Sequence, residues 1–342
     1  MAVIERVFIF SLSGGLHLMR IGVFSDMGMH ADWLWSQCDG AAGRDESAGI
    51  ELAFQERAAE RVFCFNLPFF PKGAGAMPGW RRALSKVRGG QRGYRAEKCR
   101  VAFEMLEAAR EKTGMLLYEP PPIAQNFYGP AKEFCARVWA PDDRAPVHVE
   151  PTVLPAFWMI PEDVRTLRAL GPGAARERPI ALAGVISGKT ALPGHEERLA
   201  FLRLLRRAGA PLELFGGGLP ADVGGRGAVV SKSAVLRAAR LTLAIENYAE
   251  GALYVTEKLW DPLLCWSLPL YYGPRAADGL VPGDAFIRVP SLDARGVEVV
   301  MEAVRDEGLW EKRLGAIAEA RRRCLEELRL MVWLRERLEG WR

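Results

Sequence analysis

The stretch IENYAEGALYVTEKLW at 245–260 lies between two apolar runs and concentrates side chains that could do chemistry. Glu246 and Asn247 directly follow an apolar run, and Glu257 and Lys258 begin the next amphipathic segment. This order predicts a strand, a polar loop, a helix and a second strand, and ligands of such units bind beyond the carboxyl ends of the strands. A lysine in the first helical turn opposes the helix dipole by roughly 0.3 to 1 kcal/mol. Its position favours a bound anion such as a diphosphate, with solvated surface charges as the alternative.

Short β-like runs alternate with amphipathic stretches along the chain, which is typical of parallel sheets covered by helices. Strands are predicted at 21–24, 62–66, 114–118, 137–140, 180–186, 212–215, 228–230, 241–245, 268–272 and 286–289. This pattern predicts an α/β fold.

A segment rich in glycine, proline and charge, 171–179, separates the two groups of strands and has the composition of a linker. We predict two Rossmann-like domains that face a cleft, over 1–170 and 180–300. A C-terminal helical tract follows at 301–342, with apolar positions among many arginines and glutamates.

Composition and charge limit the classes of function. The chain has 342 residues, 49% of them hydrophobic, and a formal net charge of +4, which does not by itself imply a nucleic-acid partner. The six cysteines are scattered without a C-x-x-C pair, and a reducing cytoplasm is the simpler compartment. The four histidines are also scattered, and HEER at His195 lacks the second histidine of H-E-x-x-H, so no metal site is predicted.

The N-terminus carries one apolar run, VFIFSL, which is too short to span a bilayer. The sequence MRIGVFSDMG from Met19 has the pattern of a first strand and turn of an α/β domain. The first 18 residues are therefore predicted to be a dispensable extension, with Met1 and Met19 as alternative starts.

Four segments of the second half resemble the α1,3/4-fucosyltransferases of glycosyltransferase family ten. They are Ile245–Asn247, Tyr254–Trp260, Pro269–Gly273 and VPGDAFIRV at Val281–Val289, and they match the family in order, residue type and approximate spacing. The sequence departs from the family at Tyr248, where serine is frequent, and its loop before Tyr254 is a residue longer.

The resemblance extends upstream of this segment. VISGKTALPGHEERLAFLRLL at 185–205 is similar to the family's first donor-domain strand and helix, and Arg198 matches an arginine of that helix. The glycine-rich run 216–227 resembles the turn that follows, although a flexible loop is the alternative. Lys232 matches a lysine often found before the donor strand.

The resemblance implies an inverting transferase of the two-domain GT-B type that takes fucose from GDP-fucose, with a nucleotide-sugar-binding domain over 180–300. It implies Arg198 and Lys258 on the diphosphate leaving group and Glu257 on ribose or fucose hydroxyls. It also implies donor-pocket positions for Glu246, Asn247, Tyr254 and Lys232. Since protein cations neutralise the phosphates, no metal or other cofactor is expected to be obligatory.

An inverting transfer needs a general base for the acceptor hydroxyl. Glu119 ends a buried run and precedes three prolines, which fix the chain and would present the carboxylate on a stiff turn. The family is similar in having an acidic residue followed closely by proline. We predict Glu119 as the base, with Asp26 and His30 in reserve and a carboxylate that binds nearby amides as the alternative.

The first half contains the basic run Arg81–Arg100, with eight Lys or Arg residues and one Glu. Contact with an anionic glycolipid or with the inner face of a membrane is one interpretation, and a solvated surface is the other. The predicted acceptor is an oligosaccharide or glycolipid. One alternative is a transferase that uses another GDP-sugar. Another is a catalytically silent module that binds glycans or nucleic acid. No RNA-binding motif accompanies the basic residues, so no nucleic-acid partner is expected.

Overall fold

The computed structural model describes residues 18–25, 32–40, 43–66, 79–174, 177–251 and 253–341. The predicted N-terminal extension up to residue 17 and the reserve bases Asp26 and His30 lie outside these ranges. Among the helices of the described residues, none combines the length and apolar content that a membrane span requires.

The first sheet has seven strands in the order β2-β3-β1-β4-β5-β6-β7, all parallel except β2, which is antiparallel to β3. The strands are Met19–Ser25 (β1), Arg44–Asp45 (β2), Ile50–Phe54 (β3), Arg61–Phe65 (β4), Thr113–Leu116 (β5), Arg137–Ala140 (β6) and Glu150–Pro151 (β7). The central strands are nearly continuous apolar runs because both faces of the sheet are covered.

The helices of the first half are Asp32–Ser36 (α1), Gly79–Leu106 (α2), Pro121–Ala124 (α3), Tyr128–Phe134 (α4) and Val164–Ala169 (α5). Helices α2, α3 and α4 cover one face of the first sheet, Leu34 of α1 packs on the opposite face, and Val164 and Leu167 of α5 lie in the core of the second sheet. Phe103 and Leu106 of α2 pack with Val62, Cys64 and Met115 of the sheet. The side chains that alternate with these along the strands point to the opposite face.

The second sheet has five parallel strands in the order β12-β11-β10-β8-β9. They are Ile180–Val185 (β8), Leu212–Phe215 (β9), Ala239–Ile245 (β10), Leu268–Tyr272 (β11) and Ile287–Arg288 (β12). The helices here are Pro193–Arg207 (α6), Lys232–Ala238 (α7), Glu257–Leu264 (α8), Ala277–Leu280 (α9), Ala294–Arg305 (α10) and Leu309–Arg323 (α11). The chain thus forms an α/β fold with two sheets.

The C-terminal tract is divided between the two sheets. Helix α11 packs in the core of the second sheet, a π-helical turn follows at Cys324–Leu328, and Leu330–Glu339 (α12) returns to the first sheet. Leu330, Leu334 and Trp341 pack there with the face of the sheet that α2 leaves open.

A buried ion pair fixes the start of α12, where the chain returns from the second sheet to the first. Arg329 is 1% exposed and its guanidinium binds the carboxylate of Asp45, with 2.9 Å from Nη2 to Oδ1. The backbone of Arg329 also forms a parallel bridge with Ala156. These two residues belong to the two segments that connect the sheets, and the segments therefore run side by side at this point. Burial opposes ionisation of Asp45, but Arg329 and two backbone amides outweigh it and lower the pKa of this carboxyl.

The predicted strands agree with the structure within a few residues, except one. Residues 228–230 form a loop before α7, and the Val230 side chain is fully exposed, so a short β-branched run was mistaken for a strand. Strands β2, β3 and β7 were not predicted. Two of them have only two residues, which is too short for a periodic signal.

Candidate active site

The carboxylate of Glu246 organises the carboxyl end of β10. It is 2% exposed and accepts hydrogen bonds from the amide and hydroxyl of Thr256, both at 2.8 Å, and from the Tyr271 hydroxyl at 3.2 Å. Thr256 is also the N-cap of α8. Glu246 therefore ties the end of β10 to the start of α8 and to β11, and Gly273 leaves the space that these contacts need, since a Cβ there would lie 2.7 Å from Glu246 Cγ.

Lys258 lies between two carboxylates at the start of α8. Its Nζ is 3.1 Å from Glu257 Oε1 and 3.5 Å from Glu246 Oε2. Burial would raise the pKa of Glu257, but the charges of Lys258 and Lys232 outweigh it and bring that pKa to about 2. Burial is the larger influence on Glu246 and raises its pKa despite Lys258.

Arg198 comes to the same place from α6. Its guanidinium donates to Asn247 Oδ1 at 2.6 Å and to the Ser187 carbonyl at 2.8 Å, while the buried Nε has no hydrogen-bond partner. Burial lowers the pKa of Arg198 to about 10, with Glu246 partly opposing that effect. A guanidinium held at this desolvation cost is suited to an anionic ligand, which would restore the lost electrostatic stabilisation.

Lys232, in the first turn of α7, pairs with a carboxylate inside α8. Its Nζ is 2.6 Å from Oδ2 of Asp261, which is fully buried and whose Oδ1 accepts the Met159 amide at 3.0 Å. Burial raises the pKa of Asp261 to about 6, and the charge of Lys232 opposes that rise. The pair connects the wall of the site to the segment that joins the two sheets.

A cavity of about 330 Å³ lies at the carboxyl ends of β8, β9 and β10. Its lining includes five of the residues predicted for donor binding, namely Arg198, Lys232, Asn247, Glu257 and Lys258. Three of these carry cations, so the cavity presents a converging positive charge at the ends of parallel strands.

Two glycine-containing loops form one wall of this cavity by packing backbone on backbone. Gly188 donates its amide to the Gly217 carbonyl at 3.0 Å, and a Cβ on Gly188 would lie 1.8 Å from Gly218 O. At Gly216 a Cβ would lie 1.7 Å from Ile186 O. The close approach explains the glycine-rich composition here.

Two predicted donor residues lie elsewhere. Glu246 is enclosed by its hydrogen-bond partners and does not line the 330 Å³ cavity. Tyr254 is 5% exposed and packs in the core of the first sheet. Burial raises the pKa of its hydroxyl well above the ordinary value, and the charges of Glu246, Glu257 and Glu119 add to this effect.

Glu119 follows β5 at the carboxyl end of the first sheet and is partly buried. Its charge acts on Tyr254, as do those of Glu246 and Glu257, so the two halves of the chain bring these carboxylates into one neighbourhood. The role of Glu119 as general base stays a prediction.

Several residues of the site were missed by sequence reasoning. Ser187 and Lys189 line the cavity, and the only signal for them was their position after a predicted strand. His195 is buried, and its Nδ1 accepts the Leu192 amide at 3.3 Å at the start of α6. Burial and then the charges of Arg198, Lys189 and Lys258 lower the pKa of His195 to about 4, so its imidazole is neutral at pH 7.

Within the described ranges, no group of three or more His, Cys, Asp or Glu side chains is arranged to hold a metal ion. The cations of the cavity are those of its lysines and its arginine.

Comparisons with known proteins find one family model and several similar folds. Residues 185–304 match the family model described as glycosyltransferase family 10 (fucosyltransferase) C-term. No curated protein sequence matches the chain.

Three solved structures are similar over most of their length. A mutant of T4 phage BGT in complex with UDP-glucose is 10% identical, with 94% of this chain and 99% of that chain covered and a TM-score of 0.52. An α1,3-fucosyltransferase with GDP-fucose is 13% identical, with 92% and 85% covered and a TM-score of 0.49. Anabaena HepE in complex with UDP and glucose is 11% identical, with 94% and 98% covered and a TM-score of 0.48. The likeness to BGT shows a shared fold, the GT-B arrangement that was predicted.

Proposed function

We propose that this chain, whose residues 185–304 match the family 10 fucosyltransferase C-terminal model, is a glycosyltransferase that transfers fucose from GDP-fucose to a hydroxyl of a glycan acceptor with inversion. The observation that carries the proposal is the convergence of Arg198, Lys232 and Lys258 on one cavity at the strand ends. The α1,3-fucosyltransferase with a similar structure was crystallised with GDP-fucose. We further propose an α1,3 or α1,4 linkage on a bacterial surface glycan.

The leaving group sets the first chemical task. As the bond from fucose to the diphosphate breaks, negative charge gathers on the phosphate oxygens, and cations fixed before the reaction stabilise it without reorganisation. Arg198 is held by Asn247 and the Ser187 carbonyl, and Lys258 is held by Glu257. Both cations are therefore positioned in advance for the diphosphate.

The carboxylates have separate tasks in this proposal. Glu257, ionised at neutral pH because of its lysine neighbours, accepts hydrogen bonds from sugar hydroxyls. Glu246 positions Thr256 and Lys258 and acts on the donor through them. Tyr254 joins the donor loop to the first domain, so that the loop and Glu119 keep a defined relation.

Glu119 takes the acceptor proton as general base. Its support is its position after β5, the stiff turn of prolines that follows, and its electrostatic influence on Tyr254 beside the donor loop. The acceptor oxygen would attack the sugar carbon from the side opposite the diphosphate, which gives inversion. Glu119→Gln should lower kcat by a factor of roughly 100 or more while GDP binding stays unchanged. Near-normal transfer by this variant at saturating acceptor would remove Glu119 from the role.

The donor is tested by calorimetric titration of the purified protein with GDP-fucose, GDP-mannose, GDP and UDP-glucose. We expect the guanine nucleotides to bind and UDP-glucose to bind at least roughly tenfold more weakly. Tight and selective UDP-glucose binding would refute the proposed donor and favour the kind of ligand seen with BGT. Equal turnover of GDP-mannose and GDP-fucose would refute only the choice of sugar.

The basic helix α2 supports a location on the cytoplasmic face of a membrane. Leu84 and Val87 are exposed hydrophobic residues of this helix, close in sequence to Lys86. Part of the positive charge is neutralised within the domain, since Arg81 pairs with Glu97 and Glu104. We propose weak, salt-sensitive peripheral contact with anionic lipid or an anionic glycolipid. Equal sedimentation with phosphatidylglycerol and phosphatidylcholine vesicles at low salt would refute it.

A further inference from the structure

A second cavity, of about 260 Å³, adjoins the donor cavity on the other side of Asn247. We call it the carboxylate cavity; its lining includes Pro122, Glu197, Glu246, Tyr248, Glu250 and Tyr272. Asn247 is the residue that both linings share, so the two cavities meet at the end of β10.

The carboxylate cavity is assembled from both halves of the chain. Pro122 belongs to the turn that follows Glu119, whereas the other lining residues come from the second domain. Tyr248 packs against the core of the first sheet, and a Cβ on Gly251 would be 3.7 Å from Asp143 Oδ1. The loop after β10 therefore contacts the first half of the chain through Tyr248 and Gly251 and forms one side of the cavity.

The electrostatics of this cavity are opposite to those of the donor cavity. Glu197 and Glu250 are exposed carboxylates on its wall, and no Lys or Arg is among the described residues that line it. Burial raises the pKa of the Tyr272 hydroxyl, and the charges of Glu197, Glu250 and Asp293 add to this effect. A ligand here would meet negative charge, two tyrosine rings and Pro122 of the turn that follows Glu119.

We propose that the carboxylate cavity binds the acceptor hexose, and that Glu197 and Glu250 make it select uncharged or amino sugars and reject uronic and other acidic sugars. This inference rests on the proposed function and adds the acceptor class to it. The cavity volume suits one hexose, and the tyrosines offer flat surfaces and hydroxyls for its apolar face and its hydroxyl groups.

The size of the selectivity follows from the two charges. A sugar carboxylate in the cavity would lie within several ångströms of both glutamates, where like charges in a partly solvated site repel and weaken binding by roughly tenfold. A sugar ammonium would be attracted by a comparable factor. Both effects should shrink at high salt, because Glu197 and Glu250 are exposed to solvent.

The experiment titrates the full-length protein, saturated with GDP, with three methyl glycosides of similar size: β-glucosaminide, β-N-acetylglucosaminide and β-glucuronide. Binding is followed by ligand-observed NMR. We expect the amine to bind best and the glucuronide worst, with about a tenfold step from the neutral sugar to the glucuronide. The double variant Glu197→Gln, Glu250→Gln should reduce that step to within about threefold and leave the dissociation constant for GDP unchanged.

Glu298→Gln is the matched control, because it removes the same charge from an exposed position on α10 that lines neither cavity. It should leave the charge preference as in the parent protein. Equal binding of the three glycosides, tighter binding of the glucuronide, no glycoside binding up to tens of millimolar, or an unchanged preference in the double variant would each overturn the inference.

Failure of this inference can be told from failure of the proposed function. Loss of GDP binding in the parent protein would refute the proposed donor and, with it, the acceptor assignment. Normal GDP binding without a charge preference among the glycosides would refute the acceptor assignment alone.

Discussion

Replacing Arg198 by methionine should weaken GDP binding without destabilising the free protein. The side chain is 2% exposed, lines the donor cavity and has an unpartnered Nε. Methionine has a similar length and flexibility and can fill the space without a charge. If Arg198 binds the ligand, the change should lower GDP affinity and leave the melting temperature unchanged or higher. If Arg198 instead stabilises the fold, the change should lower the melting temperature and leave GDP affinity unchanged.

The magnitude follows from the environment of the guanidinium. Burial lowers the pKa of Arg198 from the ordinary value of a guanidinium to about 10. Since a tenfold change in a proton equilibrium corresponds to about 1.4 kcal/mol, holding the charge there costs on the order of 3 kcal/mol. Loss of the hydrogen bonds to Asn247 and Ser187 lowers the free energy of unfolding by about 1 kcal/mol each and so offsets part of that gain. The melting temperature of the free variant should therefore be unchanged or higher by a few degrees.

GDP binding should change in the other direction. A charge-assisted hydrogen bond to a phosphate contributes about 1.5 to 3 kcal/mol, so the dissociation constant for GDP should rise roughly 10- to 150-fold. Calorimetric titration measures the binding, and thermal unfolding with and without GDP measures the stability.

Arg207→Met provides the control for loss of a positive charge. Arg207 is exposed at the other end of α6 and lines neither cavity, so its removal should change GDP affinity by less than about twofold. A fall of more than about 5 °C in the melting temperature of Arg198→Met, with GDP affinity retained, would show that Arg198 maintains the fold and would refute the reasoning.

Three further changes test the structure at other points. Because the pKa of His195 is lowered from 6.5 to about 4, the folded state binds fewer protons than the unfolded state between these values, and stability is lost as pH falls through them. His195→Gln should remove a loss of about 2 kcal/mol in the free energy of unfolding between pH 7 and 4.5, measured with denaturant. Asp261 acts in the opposite sense and remains in both proteins. Arg329→Met leaves the Asp45 carboxylate buried without its partner and should cost about 3 to 5 kcal/mol in the same assay, partly recovered by adding Asp45→Asn; an equal loss in the double variant would contradict the ion-pair account. Gly216→Ala forces a Cβ against a carbonyl oxygen and should weaken GDP binding at least about tenfold, whereas unchanged affinity would show that this loop does not shape the donor cavity.

Local sequence patterns were sufficient for most of the fold. The strands β1, β4, β8, β9, β10 and β11 are apolar runs separated by helices or turns, and a parallel sheet requires such runs because both of its faces are buried. The segment that carries Asn247, Glu257 and Lys258 could also be identified, since polar residues at the ends of parallel strands meet at one edge of the sheet, whereas Arg198 was identified only through the family resemblance. The family resemblance then supplied the roles for which these residues are proposed.

The pairing of these side chains depends on contacts between distant parts of the fold. Lys232 of α7 contacts Asp261 of α8. Tyr254 was predicted to line the donor pocket but lies in the core of the first sheet. The low pKa of His195 depends first on burial and then on the charges of Arg198, Lys189 and Lys258. Burial and pairs such as Lys232 with Asp261 arise from the packing of the folded chain, so no local periodicity records them.

The C-terminal tract shows the same division. Its helical character follows from local apolar spacing, but the return of α12 to the first sheet depends on an apolar face there that only the folded sheet presents and on a carboxylate at Asp45 that matches Arg329. Local apolar spacing accounts for most of the helices and strands, but not for β2, β3 and β7 or for the loop at 228–230. The packing of the two domains determined which charges meet, because burial and distance, not residue type, set the strength of each pair.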